Sequence, residues 1–176
     1  MDISEENELN LEEATPVTQL HSMGCGAACV AFAAGVSYRR AVSLLGTQKA
    51  RETGFTLREM VDALAVFGLK YKVHHADGKF QDDARAPGTI VFVRRSPRYP
   101  FGHYLARSNN RWMDPWINLP TDGRIATARS GYRSRLPSSA QWLLVPEPAR
   151  THNHRSSRKG VSPERSDPTV QSRANA

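Results

Sequence analysis

Only two of the 176 residues are cysteines, Cys25 and Cys29, so a scaffold held together by disulfides is excluded. Four positions apart on one expected helix, the two thiols point the same way without suiting disulfide geometry, and both are expected to stay reduced. No Cys-x-x-Cys or His-x-x-x-His pair occurs in the part expected to fold; the close pairs are His74-His75 and His152-x-His154, the latter in the tail. That is too few ligands for a zinc site, and no metal or other cofactor is expected. No apolar run reaches the roughly 18 residues of a membrane-spanning helix. The first residues also lack the basic start and apolar core of a signal peptide, which predicts a cytoplasmic protein without a membrane span, acting as a monomer. Phosphate-cradling glycine loops, paired carboxylates and internal repeats are missing as well. Nucleotide chemistry of the P-loop kind, carboxylate-pair hydrolysis and solenoid architectures fall away with them.

Apolar residues make up 39% of the chain, a low share for a compact fold, and the two ends account for it. Residues 1–14 hold six acids and no base, while residues 150–176 hold six bases, two acids and many Ser, Pro, Asn and Thr. Neither end can bury enough apolar surface to offset its conformational entropy. The expected division is an acidic arm over 1–16, one folded domain over 17–148 and a disordered basic tail over 149–176. Of the net charge of +7, −6 lies in the first 14 residues and +4 in the last 27, which leaves +9 on the part between. Such a surface favours acidic partners. A nucleic acid, an anionic membrane surface or an acidic protein would each serve, and net charge does not choose among them.

Gln19-Leu-His-Ser-Met-Gly-Cys-Gly-Ala-Ala-Cys29 is the most informative stretch. It sets an amide side chain six positions before a cysteine that opens an apolar run. Cys25 to Ala34 reads as a buried helix stopped by Gly35. A thiol at its N-terminus sits in positive dipole potential that favours the thiolate. Gly24 and Gly26 leave Cys25 without bulky neighbours, so that a substrate backbone could approach the sulfur. Cys29, one turn further in, reads as packing.

Downstream, a short helix is expected over Tyr38 to Leu45, then a polar loop over Gln48 to Gly54. Thr56-Leu-Arg-Glu59 has the capping-box pattern, and Leu57, Met60, Val61, Leu64 and Phe67 recur at helical spacing up to Gly68. The period then becomes two: Leu69, Tyr71 and Val73 alternate with Lys70, Lys72 and His74, the mark of a half-exposed strand. A charged loop over Gly78 to Ala86 leads to a central strand over Thr89 to Val93. His103 to Arg107 and Arg111 to Asp114 form a hairpin about Asn109-Asn110, Pro115 to Ser139 is expected to be irregular, and Gln141 to Val145 is the last strand. Helices first and then an antiparallel sheet is the α+β pattern.

A cysteine nucleophile needs a base, and the base an orienting group. The hairpin supplies both, since His103 and a residue near Asp114 fall on adjacent strands. His21 is the rival base, nearer in sequence but on a loop. Trp112 and Trp116 flank Asp114 and either shield the pair or fill the core. Arg94-Arg95-Ser-Pro-Arg98-Tyr99 precedes His103 and reads as a solvated basic loop or a rim that selects an acidic substrate segment.

With these residues in place, the chain resembles the papain-like cysteine peptidases, and among them the bacteriocin-processing, double-glycine leader peptidase family and its stand-alone relatives, proteins of bacteria and phage. The likeness spans about Val17 to Val145 and rests on Gln19, Cys25-Gly-Ala-Ala-Cys29, Gly54-Phe-Thr-Leu-Arg-Glu-Met60, Phe67-Gly-Leu69, Gly102-His103 and Asp114-Pro115. It implies a papain-like fold with the active site in the cleft between helices and sheet, and a protein or peptide substrate. In the family the glutamine helps hold the oxyanion, the cysteine attacks, the histidine is the base and the aspartate orients it, which carries over to Gln19, Cys25, His103 and Asp114. Gly24, Gly102 and Trp116 become candidates for contact with substrate. Gly24 departs from the family, which commonly has an acidic residue there. The best-known members are also domains of membrane exporters, so cleavage after a double glycine is not implied. Acyl transfer on the same site, and a non-enzymatic module whose basic surface holds nucleic acid or an acidic protein, are the competing readings.

Overall fold

The computed structural model describes residues 14–80, 82–119 and 123–148. The acidic arm lies outside the described residues apart from 14–16, and the basic tail lies wholly outside them. Four helices come first, α1 (Cys25–Ala34), α2 (Tyr38–Leu45), α3 (Thr47–Glu52) and α4 (Leu57–Val66). Six strands follow: β1 (Tyr71–His75), β2 (Ile90–Val93), β3 (His103–Arg107), β4 (Trp112–Asp114), β5 (Gly131–Arg133) and β6 (Ala140–Pro146).

The helix ends carry the chemistry expected of them. Gly35 closes α1 at φ 62°, in left-handed backbone. The Ser37 side chain accepts from the Arg40 N–H at the start of α2. Thr56 and Glu59 form the reciprocal capping box of α4, with the Thr56 N–H donating to Glu59 Oε2 at 2.9 Å. One polar stretch expected to be loop is helical instead. α3 forms over Thr47–Glu52 because Ala50 is fully buried and its carbonyl accepts the Met23 N–H at 2.8 Å, a tertiary anchor that local propensity does not carry.

The strands form one antiparallel sheet in the order β1-β6-β2-β3-β4-β5. Alternation sorts its side chains into two apolar clusters. Ile90, Tyr104, Ala106, Met113 and Leu144 face α1, α2 and α4, whereas Val91, Val93, Leu105, Trp112 and Leu143 pack with Ala76, Ala84 and Leu136 on the other face. Val73 departs from the expected alternation, being 41% exposed on the edge strand β1. The region 115–139 is not irregular throughout, for β5 pairs with β4 through Asp114↔Gly131 and Trp112↔Arg133. Three residues are too short a run for alternation to reveal.

α1 is almost wholly apolar and packs between α2, α4 and β3, with Gly26 to Ala33 buried. Gly26 permits that approach: a Cβ there would stand 3.0 Å from Met60 Sδ and 3.3 Å from Phe55. The N-terminus of α1 is thereby delivered to the end of the sheet where β3 begins and β4 ends. Among the described residues no single helix is long and apolar enough to cross a membrane.

Candidate active site

Antiparallel pairing brings the first residue of β3 beside the last of β4. The Ser108 N–H donates to the Arg111 carbonyl at 2.9 Å across Asn109-Asn110, which sets the register Arg107↔Trp112 and Ala106↔Met113. At the open end of this hairpin His103 Nε2 donates to Asp114 Oδ1 at 2.8 Å. Both side chains are buried, Asp114 completely. With Nε2 committed, Nδ1 is the nitrogen left for the thiol at the start of α1.

Electrostatics follow from this packing. Burial alone would lower the pKa of His103, but its hydrogen bond to Asp114 and its interaction with the Cys25 thiol outweigh burial and raise it to about 9. Burial likewise opposes charge on Asp114. Donation from His103, the His103 charge, the Arg133 guanidinium and the Trp116 N–H hold it down at about 2. Cys29 is fully enclosed, and burial pushes its thiol well above the ordinary range, which favours the protonated form. Cys25 is partly exposed at the helix terminus, and no side chain caps that terminus among the described residues. The first N–H groups of α1 therefore have no side-chain acceptor among the described residues.

Gln19 is buried and tied to the sheet half of the site by its own N–H, which donates to the Pro115 carbonyl at 3.3 Å. Its side-chain Nε2 donates to the His21 and Ser22 carbonyls at 3.0 and 3.3 Å, and its Oε1 is buried without a partner among the described residues. Two carbonyls facing the same end of the amide fix which atom is nitrogen.

The fold is shared with a solved peptidase domain. The crystal structure of the peptidase domain of Streptococcus ComA, a bi-functional ABC transporter involved in a quorum sensing pathway, superposes with a TM-score of 0.52. The match covers 77% of this chain and 99% of that one at 21% sequence identity. No protein-family model matches the sequence, and no curated protein does. The α+β architecture of helices packed on an antiparallel sheet is therefore the one expected.

Three further side chains, to which no role of their own was assigned from the sequence, lie against these residues. Tyr99, 2% exposed, lies parallel to the His103 ring at 4.6 Å. Arg133 on β5 donates through Nε to Asp114 Oδ2 at 2.5 Å. Tyr38 at the start of α2 reaches under Gly24, where a Cβ would stand 2.0 Å from its hydroxyl oxygen. The space a side chain at 24 would need is thus filled by the protein itself. Gly102 is similar: at φ 77°, its Cβ would lie 2.2 Å from the Phe92 ring. Tyr99 and Arg133 could not be inferred because one sits in a Pro-flanked loop and the other on a three-residue strand.

The rival base is occupied elsewhere. His21 Nδ1 lies 3.0 Å from Tyr38 Oη with the two rings stacked, and burial and the nearby Arg51 lower its pKa. Trp112 belongs to the core, packed under Arg107. Trp116 is buried, and its backbone N–H donates to Asp114 Oδ1 at 2.9 Å. Of the expected basic loop, Arg98 donates to the Ile117 carbonyl and lies over the Tyr99 ring, while Arg94 and Arg95 are exposed. Among the described residues no group of three His, Cys, Asp or Glu could hold a metal ion.

Proposed function

We propose that this protein is a papain-like cysteine peptidase in which Cys25 attacks, His103 moves the proton and Asp114 orients His103. The observation that carries the reading is the buried His103–Asp114 hydrogen bond, 2.8 Å long, at the sheet end that receives the N-terminus of α1. The peptidase fold of the structural neighbour supports the same reading.

In this mechanism the Cys25 thiolate, paired with the His103 imidazolium, bonds to the carbonyl carbon of a peptide. The carbonyl oxygen becomes an oxyanion held by the Cys25 N–H and by a Gln19 Nε2–H, which must leave one of the two loop carbonyls that it now bonds. His103 Nδ1 gives its proton to the leaving nitrogen as the C–N bond breaks. Water, deprotonated by the same nitrogen, then attacks the thioester, which releases the carboxylate and restores the thiol pair. Leu20, which follows Gln19 in the chain, and Phe101, which precedes Gly102, are 51% and 66% exposed, so each offers exposed apolar surface to a peptide substrate.

The test is alkylation by iodoacetamide at neutral pH, with the labelled residue identified by peptide mass spectrometry, alongside cleavage of a peptide library. Cys25 is expected to label fast in the wild type and in Cys29→Ser, and slowly in His103→Ala. Labelling at Cys29, or Cys25 labelling indifferent to His103→Ala, would overturn the assignment.

A further inference from the structure

Asp114 is a fully buried carboxylate, and its two oxygens are used differently. Oδ1 accepts from His103 Nε2 at 2.8 Å and from the Trp116 N–H at 2.9 Å. Oδ2 accepts from Arg133 Nε at 2.5 Å. The guanidinium is itself held, since its Nη2 donates to the Ile117 carbonyl at 2.8 Å, and its side chain is only 20% exposed. The route by which Arg133 arrives is built into the sheet. In register it stands opposite Trp112, and the residue opposite Asp114 is Gly131, so the arginine reaches Asp114 diagonally with no intervening side chain. A Cβ at 131 would press on Ile117 at 3.1 Å.

We infer that Arg133 is a positioning residue of this site, fixing the plane of the Asp114 carboxylate so that Oδ1 is presented to His103 while its charge offsets the buried anion. The inference rests on the proposed roles of Cys25, His103 and Asp114. A carboxylate bonded on one oxygen alone can rotate about its terminal torsion, which is broad, and the His103 tautomer would be held less firmly. A planar fork bonded to Oδ2 and to the neighbouring backbone removes that freedom.

Removal of the arginine charge has a directional consequence. Among the described residues the charged and titratable groups about His103 and Asp114 are Cys25 and Cys29 on α1, Tyr99 and Arg98 ahead of β3, and Arg133 on β5. Among the described residues Arg133 is the Arg or Lys that bonds the pair directly, so without it the imidazolium gives up its proton less readily.

The test compares Arg133→Met, Arg133→Lys, Asp114→Asn and the double variant Arg133→Met/Asp114→Asn, with circular dichroism confirming that each is folded. The readout is the pH profile of Cys25 alkylation by iodoacetamide, joined by kcat/KM on a cleaved peptide. Arg133→Met is expected to shift the alkaline limb upward by about one pH unit and to lower kcat/KM by about tenfold or more. Arg133→Lys should fall between it and the wild type, because charge returns without the fork. The double variant should match Asp114→Asn alone, and it stays testable if buried, uncompensated Asp114 unfolds Arg133→Met. An alkaline limb in Arg133→Met that superimposes on the wild type, or effects of Arg133→Met and Asp114→Asn that simply add, would overturn the inference. If the underlying triad is wrong, the wild type itself shows no His103-dependent limb, a failure seen before any Arg133 variant is compared.

Discussion

Tyr99 lies flat on His103, ring centroids 4.6 Å apart and planes 4° from parallel, with the Arg98 guanidinium carbon 5.8 Å from the centroid of the Tyr99 ring. The phenol ring covers one face of the imidazole and keeps water from the His103–Asp114 hydrogen bond, the duty that sequence alone left open to Trp112 and Trp116. Its hydroxyl is buried and has no hydrogen-bond partner among the described residues.

From that arrangement Tyr99→Phe is expected to retain activity and to change stability by less than about 1 kcal/mol, because an unpaired buried hydroxyl contributes little. Tyr99→Ala should cost about 3–5 kcal/mol and cut kcat/KM, since it opens a cavity over the imidazole. Thermal denaturation and kinetics of the two variants check this together.

The two titrating partners act in opposite pH directions. His103 is raised from 6.5 to about 9, so its contribution to stability is complete below pH 6.5 and is lost as pH rises through about 9. Asp114 is lowered from 3.8 to about 2, so its contribution is present above pH 3.8 and is lost as pH falls through about 2. Urea unfolding of the wild type across pH should therefore weaken on the alkaline side. In Asp114→Asn that alkaline decline should flatten, because the carboxylate that raises the histidine is gone.

Gly102 faces two obstacles to replacement, a φ of 77° and the Phe92 ring 2.2 Å from where a Cβ would stand. Gly102→Ala is expected to cost about 2–5 kcal/mol, the left-handed backbone contributing about 1–2 and the collision the rest. Phe92→Leu in the same chain should recover part of the loss by relieving the collision, and the backbone share should remain. Equilibrium denaturation of the single and double variants separates the two.

At position 24 the main obstacle is one atom, with the His21 carbonyl oxygen a second, tighter-than-usual contact at 3.1 Å. Tyr38 Oη would lie 2.0 Å from a Cβ, and the next ring carbon 3.2 Å away. Gly24→Ala should be severely destabilising in the wild type and much milder in Tyr38→Phe, with a coupling of about 1–3 kcal/mol in the double-mutant cycle. The same pair explains why an acidic side chain before the nucleophile, common in the family that the sequence resembles, has no room here.

What the sequence made legible divides along a physical line. α1, α2, α4 and the 103–114 hairpin were readable because caps, helical spacing and turn residues write them locally, and Gln19, Cys25, His103 and Asp114 fall on those elements or beside them. α3, β5, Tyr99, Tyr38 and Arg133 were not. Each depends on contacts between distant segments: Ala50 with Met23, β5 with β4, Tyr99 with His103, Tyr38 with Gly24. A stretch as short as Gly131–Arg133 carries no period, so the arginine that reaches Asp114 looked like one more base in a basic chain.

The sheet order also has a consequence for the sequence of events during synthesis. β6, made last, lies between β1 and β2, so the hairpins from β2 to β5 have no strand neighbour on their inner edge until residues 140–146 leave the ribosome. Until then Ile90 to Val93 presents an open apolar edge, and β1 has no strand to pair with. A nascent chain halted before Ala140 therefore contains Cys25, His103 and Asp114 but lacks the strand that joins the edge under α4 to the rest of the sheet.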